Sequence, residues 1–486
     1  MSLLPDGEKG FQKLKHYLSA SLLTTVAGLI TFPVLTRLLS KADYGTFSLI
    51  QGFQLIYEAI LKGGGQFSVV RFYPSEYLDS DKSKTKFISN LIFIPLLLSS
   101  LVTLFVGVGI VIYSYFYSES YIALLVLIAA QSSIILSYFR SYMQASNLSK
   151  YDALIDITSK YLYLICVIPI VLYLFTSYWG VYWAIAISAF AVSCISIWVN
   201  RGIFKYMSFN IDKTLIRASL KYSIPLLMTE ISILSISYSD RFIMAAMDIE
   251  MSDIGIYAIG FGLANVVFML VWKVLQPAVL PNVNRLHDCI SIVSATNHLK
   301  NVINLLMLLF FSLITGIALN YNDFIILLCG EDKADAGIVF LLATLLFLIK
   351  IISILYFYGL NLFKNTKNIL YSELIIAVCN IVLNVVLITH YGIYGAMAAS
   401  YISVFIGMSL KYIALHDDYR FAFDLSGIRN VTIMLAIYST CHIHIIRELT
   451  SSHILTLIYS ALLFLFLFYF IRKPIIKKIH TCFDFS

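Results

Sequence analysis

With 486 residues, 60% of them hydrophobic and only 13% charged, the chain carries more apolar side chain than a soluble core absorbs, since soluble domains are about half apolar and about a quarter charged. Runs of about 20 apolar residues, enough to cross a bilayer as a helix, recur along almost its whole length, so it reads as an all-α, multi-pass membrane protein. The formal net charge of +7 has no soluble basic domain to belong to, which excludes nucleic acid as a partner.

Hydropathy predicts fourteen transmembrane helices, starting near residues 16, 46, 87, 120, 153, 179, 217, 253, 298, 335, 368, 392, 428 and 452. The basic opening MSLLPDGEKGFQKLKHYLSA leads into an apolar run too long for a signal-peptide core. That run ends in LTRLLSKADYG with no small-residue cleavage site, which predicts an uncleaved first helix. Of the 34 Lys and Arg, this assignment puts only Arg37, Lys41, Arg241, Lys333 and Arg447 on the face opposite the N-terminus. Lys62, Lys160 and Lys350 fall at membrane depth, and the others share the N-terminal side. Cytoplasmic loops carry the excess of Lys and Arg, so both termini are expected in the cytoplasm.

The second span contains YEAILKGGGQFSVVRFYPSE, Tyr57 to Glu76. Ionisable residues at membrane depth cost a few kcal/mol each and mark function by default. With Arg71 at the cytoplasmic edge and a rise of about 1.5 Å per residue, Lys62 lies roughly 13 Å and Glu58 roughly 20 Å into the membrane. The two are four residues apart on one helix face, with Glu first, the favourable order for a pair. Either they neutralise each other, or Lys62 contacts an anion and Glu58 carries an ion. Gly63, Gly64 and Gly65, at about 1 kcal/mol each relative to Ala, loosen the helix and let a neighbouring helix or a head group come close, as hinge or as packing contact.

Further along, DSD at Asp79 to Asp81 has the spacing of a glycosyltransferase metal motif. The loop around it has no room for a nucleotide-binding domain, so it reads as a solvated charge run. Lys160 pairs by spacing with Asp156 and reads as structural. Glu230 lies about 20 Å along its helix from Arg217, a second midplane carboxylate, and Pro225 one turn earlier is expected to kink that helix. Lys350 lies well inside the tenth span, whereas Arg37, Asp240 and Arg241 fall at periplasmic helix ends. His390, His442 and His444 have no Cys or carboxylate companions, and the cysteines lie mostly in apolar runs without CxxC spacing. No metal site, disulfide framework or cofactor is expected.

An internal repeat appears at an offset of about 210 residues: WGVYWAIAIS (179–188) aligns with YGIYGAMAAS (391–400), and ADYGTFSLIQGF (42–53) with SDIGIYAIGFG (252–262). The offset covers an even number of spans, so the copies run the same way through the membrane, related by an axis along its normal. The expected organisation is a first lobe at 1–205, a second at 206–416, and two further helices with a cytoplasmic tail at 417–486.

LTRLLSKADYGTFSL (35–49) followed by GGGQFSVVRFYPSEY (63–77), with SLKYSIPLLMTEIS (219–232), DIGIYAIGFGLANV (253–266) and YGIYGAMAASYIS (391–403), resembles the polysaccharide transporters. These are the Wzx-type O-antigen flippases of the MOP superfamily, which also holds multidrug and toxin extruders and lipid II flippases. The resemblance covers nearly the whole chain and implies two six-helix lobes plus two helices. It implies an undecaprenyl-diphosphate-linked oligosaccharide, such as an O-antigen repeat unit of lipopolysaccharide, moved from the cytoplasmic to the periplasmic leaflet of the bacterial inner membrane. With that substrate, alternating access between the lobes, H+ or Na+ coupling and other polysaccharide assembly proteins as partners are expected.

Members of that family are similar in lining the cavity with cations, which a diphosphate needs to offset its lost hydration. Only Arg71, of the RFY motif, carries over from the resemblance. Lys62, Lys350, Arg37 and Arg241 as anion contacts, and Glu230 or Glu58 as the ion-coupling group, rest on depth. One alternative is a drug/cation antiporter of the same superfamily, which favours unpaired carboxylates over lysines. The other is a membrane polymerase or ligase, a class marked by a large periplasmic loop with Arg or His. The periplasmic loops here are short and poor in both, so no enzyme is expected.

Overall fold

A computed structural model of the protein describes residues 7–76, 80–117, 121–146, 148–362, 366–415, 428–446 and 452–483. Asp79 of the DSD run and the loop cations Lys364, Arg420 and Arg447 lie outside them. Helix is the regular structure throughout the described residues. The chain divides into two units, Met1–Tyr238 and Ser239–Ser486.

In the first unit, α1 (Gly7–Leu38) is followed by α2 (Lys41–Lys62) and α3 (Gly65–Glu76). Ser40 starts α2 by accepting the Asp43 N–H at 3.0 Å while its hydroxyl donates to the Asp43 carboxylate at 2.6 Å, a reciprocal cap. The predicted second span is therefore two helices. Gly63 (φ 56°) caps α2 in the left-handed conformation, and Gly64 (φ 68°) follows it there, a pair of conformations that side chains with a Cβ adopt only at a cost. The depths read from an unbroken helix between Arg71 and Glu58 are corrected accordingly.

After α3, α4 (Asp81–Ile88) continues through a π turn, Ser89–Phe93, into α5 (Ile94–Tyr117). Then come α6 (Ile122–Ala145), α7 (Ser149–Tyr173), α8 (Tyr178–Val199), a short 3-10 turn Arg201–Tyr206, and α9 (Lys213–Ala246), within which the first unit ends. The α9 start is fixed by Asp212, which accepts the Leu215 N–H at 2.9 Å. The Thr214 hydroxyl, the Leu215 N–H and Lys86 together hold the Asp212 carboxyl below the usual carboxylate range. The core of this unit joins α3, α4 and α6 through Val69, Phe87, Ile88, Ile134, Tyr138 and Phe139. On α8 the buried face is made of small residues such as Gly180, Ala184, Ser188 and Ser196, while Trp183, Phe190 and Trp198 point outward. This is membrane-helix packing, with small residues between helices and large apolar ones towards lipid.

The second unit holds α10 (Met251–Cys289), α11 (Ile292–Cys329), α12 (Ala336–Leu362), α13 (Thr366–Ala414), α14 (Ile428–Cys441) with a π turn His442–Ile446, and α15 (His453–Phe483). α12 packs on α10 and α13, and α11 on α15. Gly392 (φ 54°, ψ −133°) breaks α13, and Asn320 breaks the helical path of α11.

Among the described residues, eight helical stretches are long and apolar enough to cross a membrane: three-quarters or more of α5 to α8 lie in them, as do Ser19–Leu38, Met251–Trp272, Ala336–Phe357 and Tyr371–Ala414. The last, at 44 residues, exceeds the roughly 20 needed for one crossing. α2 falls outside this set because Gln51, Gln54, Glu58 and Lys62 dilute its hydropathy, as serines and Glu230 dilute that of α9.

Gly64→Ala is expected to lower the melting temperature and folded yield in detergent. The left-handed backbone alone costs about 1–2 kcal/mol with a Cβ, and that atom would stand 2.6 Å from the Ser223 carbonyl oxygen. Gly109→Ala on α5, where a Cβ meets nothing within 4 Å, should be neutral or stabilising by up to about 1 kcal/mol. Thermal unfolding of both variants checks this.

Candidate functional site

The glycine break brings three helices of the first unit to one place. Besides the Ser223 carbonyl at Gly64, a Cβ on Gly65 would lie 2.1 Å from the Tyr138 hydroxyl of α6. That hydroxyl donates to the Lys62 carbonyl oxygen at 2.9 Å, one of the carbonyls left without a helical partner where α2 ends. On the α9 side, Ser68 Oγ donates to the Ser219 carbonyl at 3.3 Å. Pro225 lies inside α9, and Thr229 Oγ1 donates to its carbonyl at 3.0 Å.

This approach sets the central contact. Lys62 Nζ lies 2.9 Å from Glu230 Oε1, with side-chain exposures of 15% and 24%. Gln66 Nε2 donates to Glu230 Oε2 at 3.2 Å, so both carboxylate oxygens are engaged. Lys62 thus turns to Glu230, 168 positions away, rather than to Glu58. Glu58 is buried at 8% exposure and accepts from Gln54 Nε2 at 2.9 Å, with Ser133 also against it. The site is a half-open lysine–carboxylate–amide cluster beside a buried second carboxylate. Arg71 is exposed on α3.

Other sequence candidates sit differently. Asp156 takes Arg140 Nη1 at 2.7 Å, and Asp152 takes Arg140 Nε at 2.6 Å. The expected Asp156–Lys160 pair is corrected: the Arg140 guanidinium offers two planar donors to two carboxylates, and Lys160 is exposed. Arg37 is exposed near the end of α1.

In the second unit, Asp240 and Arg241 are buried at 1% and 6% exposure, correcting their reading as interfacial helix-end residues. The Arg241 guanidinium lies 5.9 Å from the Tyr257 ring and 5.7 Å from Phe261. The Tyr257 hydroxyl donates to Asp240. Lys350 Nζ stands 5.6 Å from the Phe347 ring. Near it in the electrostatic sense are Glu373 and Lys411. Lys411, 3% exposed, lies 2.7 Å from Glu373 Oε1 and donates to Ser353 Oγ at 3.0 Å.

Glu373 and Lys411 escaped sequence reasoning because Lys411 was counted with the loop cations and Glu373 lay near a predicted helix start. Depth alone flags both once the helix ends are known. Neutral residues were missed too: Asn380 and Asn384, both fully buried, join Ser239, Ser400 and Ser403 in one amide–hydroxyl network. His442 Nε2 is 2.9 Å from Asn320 Oδ1. Among the described residues no group of His, Cys, Asp and Glu is arranged to hold a metal ion.

An all-α chain with many helices long and apolar enough to cross a bilayer is a multi-pass membrane protein. The chain belongs to the polysaccharide biosynthesis protein family, whose pattern matches residues 12–287. Among solved structures, it is similar to the lipid II flippase MurJ in an inward closed conformation: TM-score 0.70, 15% identity, covering 95% of this chain and 99% of that one. It is also similar to an inward-facing multidrug resistance MATE family transporter of the MOP superfamily, with TM-score 0.59 and 13% identity over 82% of this chain and 97% of that one. The Vibrio cholerae MATE transporter VcmN follows at TM-score 0.51 and 14% identity, over 85% and 99%. Among curated proteins, none matches the chain in sequence.

A double-mutant cycle should show that Lys62 and Glu230 act as a unit. Lys62→Met and Glu230→Leu are each expected to lower stability in detergent by leaving one charge without its partner. The double variant should recover part of the loss, for an interaction free energy of about 0.5–3 kcal/mol. Additive losses would mean that the pair contributes nothing as a pair.

Proposed function

We propose that the protein is a flippase for an undecaprenyl-diphosphate-linked oligosaccharide, an O-antigen or similar repeat unit, moved from the cytoplasmic to the periplasmic leaflet of the bacterial inner membrane. Membership of the polysaccharide biosynthesis family supports the substrate class, and the likeness in fold to a lipid II flippase supports the mode of action. The reading includes fourteen spans with both termini cytoplasmic, a first lobe at 1–205, a second at 206–416 and a C-terminal pair at 417–486, working by alternating access. It makes the chain a transporter, not an enzyme.

The observation that carries the mechanism is the Lys62–Glu230 contact at 2.9 Å. A lysine at membrane depth is the group a diphosphate needs, but Glu230 already occupies it. For the head group to reach Lys62, Glu230 must give up its hold; a proton or sodium ion on Glu230 releases it, and Glu58 is the alternative coupling carboxylate. Anion binding and cation uptake are then linked at one residue. Arg71, exposed on α3, meets the head group as it enters, and Lys350 is a further anion contact. The glycine break is the place where α2 and α3 reorient. Other polysaccharide assembly proteins supply and consume the carrier.

Flipping of a lipid-linked oligosaccharide in proteoliposomes is the test. Lys62→Ala should lose about 10- to 100-fold in rate, the value of a charge-assisted hydrogen bond of about 1.5–3 kcal/mol. Full activity in both Lys62→Ala and Lys350→Ala would remove the cation assignment. The second reading, a drug/cation antiporter, is favoured by Glu58, a buried carboxylate held by neutral Gln54 rather than by a lysine. Ethidium efflux that depends on Glu58 or Glu230, without oligosaccharide flipping, would select it.

A further inference from the structure

α8, Tyr178–Val199, is long and apolar enough to cross the membrane, which puts the segment that joins it to α9 at the bilayer surface. This segment is firmly held. Ser89 and Asn90, in the π turn between α4 and α5, grip its backbone: Ser208 N–H donates to Ser89 Oγ at 2.8 Å, and Ser89 Oγ to the Tyr206 carbonyl at 3.1 Å. Asn90 Nδ2 donates to the Asn210 carbonyl at 3.2 Å, and Asp212 N–H to Asn90 Oδ1 at 2.8 Å. Lys86 adds an ion pair to Asp212 at 3.2 Å, and the Tyr206 hydroxyl donates to Asp81 at 3.1 Å. Ile203, 5% exposed, plugs into the core.

A segment pinned in this way has its side-chain directions set. Yet it presents Trp198 at 64% exposure, Phe204 at 40%, Met207 at 46%, Phe209 at 71% and Ile211 at 58%. Leaving so many large apolar groups in water forfeits roughly 25 cal/mol for every Å² left unburied, and such a patch marks an interaction surface. Cations alternate with them. The Arg201 guanidinium stands 5.4 Å from the Trp198 ring, and Lys205 Nζ 4.8 Å from the Tyr206 ring. Lys213, Arg217 and Lys221, exposed at the start of α9, extend the same charge. Asp81 and Asp212, the acids of this region, are turned to Tyr206 and Lys86.

We propose that the Trp198–Ile211 segment is a lipid-surface site: its apolar side chains enter the upper acyl region of the adjoining leaflet, and Arg201 and Lys205 bind the phosphates of anionic lipids. Aromatic residues with apolar bodies and polar tips settle at this level, and basic residues between them gain from an anionic surface. A protein partner is the weaker occupant, because the segment begins at the last turn of a spanning helix, where the headgroup layer already lies. The site rests only on the membrane crossing of α8, not on the substrate assigned above. Since Asp212 directly follows the segment and caps α9, lipid composition at this surface bears on the helix that carries Glu230.

The experiment uses the full-length protein in vesicles of phosphatidylcholine with or without phosphatidylglycerol, with either lipid brominated on the upper acyl chain. The tryptophan emission that disappears in Trp198→Phe should be strongly quenched. Brominated phosphatidylglycerol should quench it better than brominated phosphatidylcholine. Arg201→Gln and Lys205→Gln should each cut that preference about fivefold, as for roughly one unit of charge at an anionic surface. High salt should abolish the preference and leave the quenching. An unquenched Trp198 overturns the proposal, and so does a lipid preference unchanged in the doubly substituted variant, provided its melting temperature matches the parent. A photo-cross-linking residue in place of Phe209 should yield lipid adducts; adducts to a protein chain would give the surface to a protein partner and refute the lipid assignment.

Discussion

The first unit depends on one close contact, the α9 backbone at Ser223 against the α2–α3 break at Gly64, where a Cβ would stand 2.6 Å from a carbonyl oxygen. Only a chain without side chains at that point allows two helices so near one another. The nearness has a direct electrostatic result: Lys62 in the last turn of α2 and Glu230 on α9 come within 2.9 Å. The lysine also sits where the helix dipole favours a cation. Break, close packing and ion pair are one arrangement, and a bulkier residue at Gly64 would undo all of it.

Between apolar helices in a bilayer the hydrophobic effect offers little, because lipid is as good a solvent as protein. Specific polar contacts and small-residue packing then carry more of the association. The unit shows both, with the Ser- and Ala-lined face of α8 and a chain of side chains from Tyr57 through Thr103 to Gln131 and Ser100 that ties α2, α5 and α6. Arg140, bridging Asp152 and Asp156, does the same for α6 and α7.

Much of this was legible in the sequence because membrane chemistry writes in composition. Apolar runs imply the helical class, and the cost of charge at depth singles out Lys62, Glu58, Glu230 and Lys350 as candidates. What the sequence could not give was partnership. The spacing of Glu58 and Lys62 allowed a pair on one helix face, but the glycines that follow open a route to a residue 168 positions away. Asp156 was likewise matched by spacing with Lys160, when a guanidinium from the preceding helix outbids an ammonium. Local periodicity ranks neighbours along one helix and is blind to the helix packed beside it. Arg241, expected at a helix end, and Lys411, expected in a loop, are both buried; the difference has a related cause, since hydropathy marks a helix end only to within a few residues.

At formal charges the two units carry opposite clusters. In the first, Lys62 and Glu230 cancel and Glu58 remains, one negative charge in excess. In the second, Lys411 and Glu373 cancel and Lys350 remains against the Phe347 ring, one positive charge in excess. An anion brought to Lys350 meets a site already short of negative charge. An anion brought to Lys62 would have to displace the Glu230 carboxylate and face that of Glu58, which on the proposed reading favours uptake of a compensating cation. On the proposed flippase reading, the ratio of one lysine to two carboxylates, or the reverse, would set whether anion binding stands alone or is tied to an ion from solution.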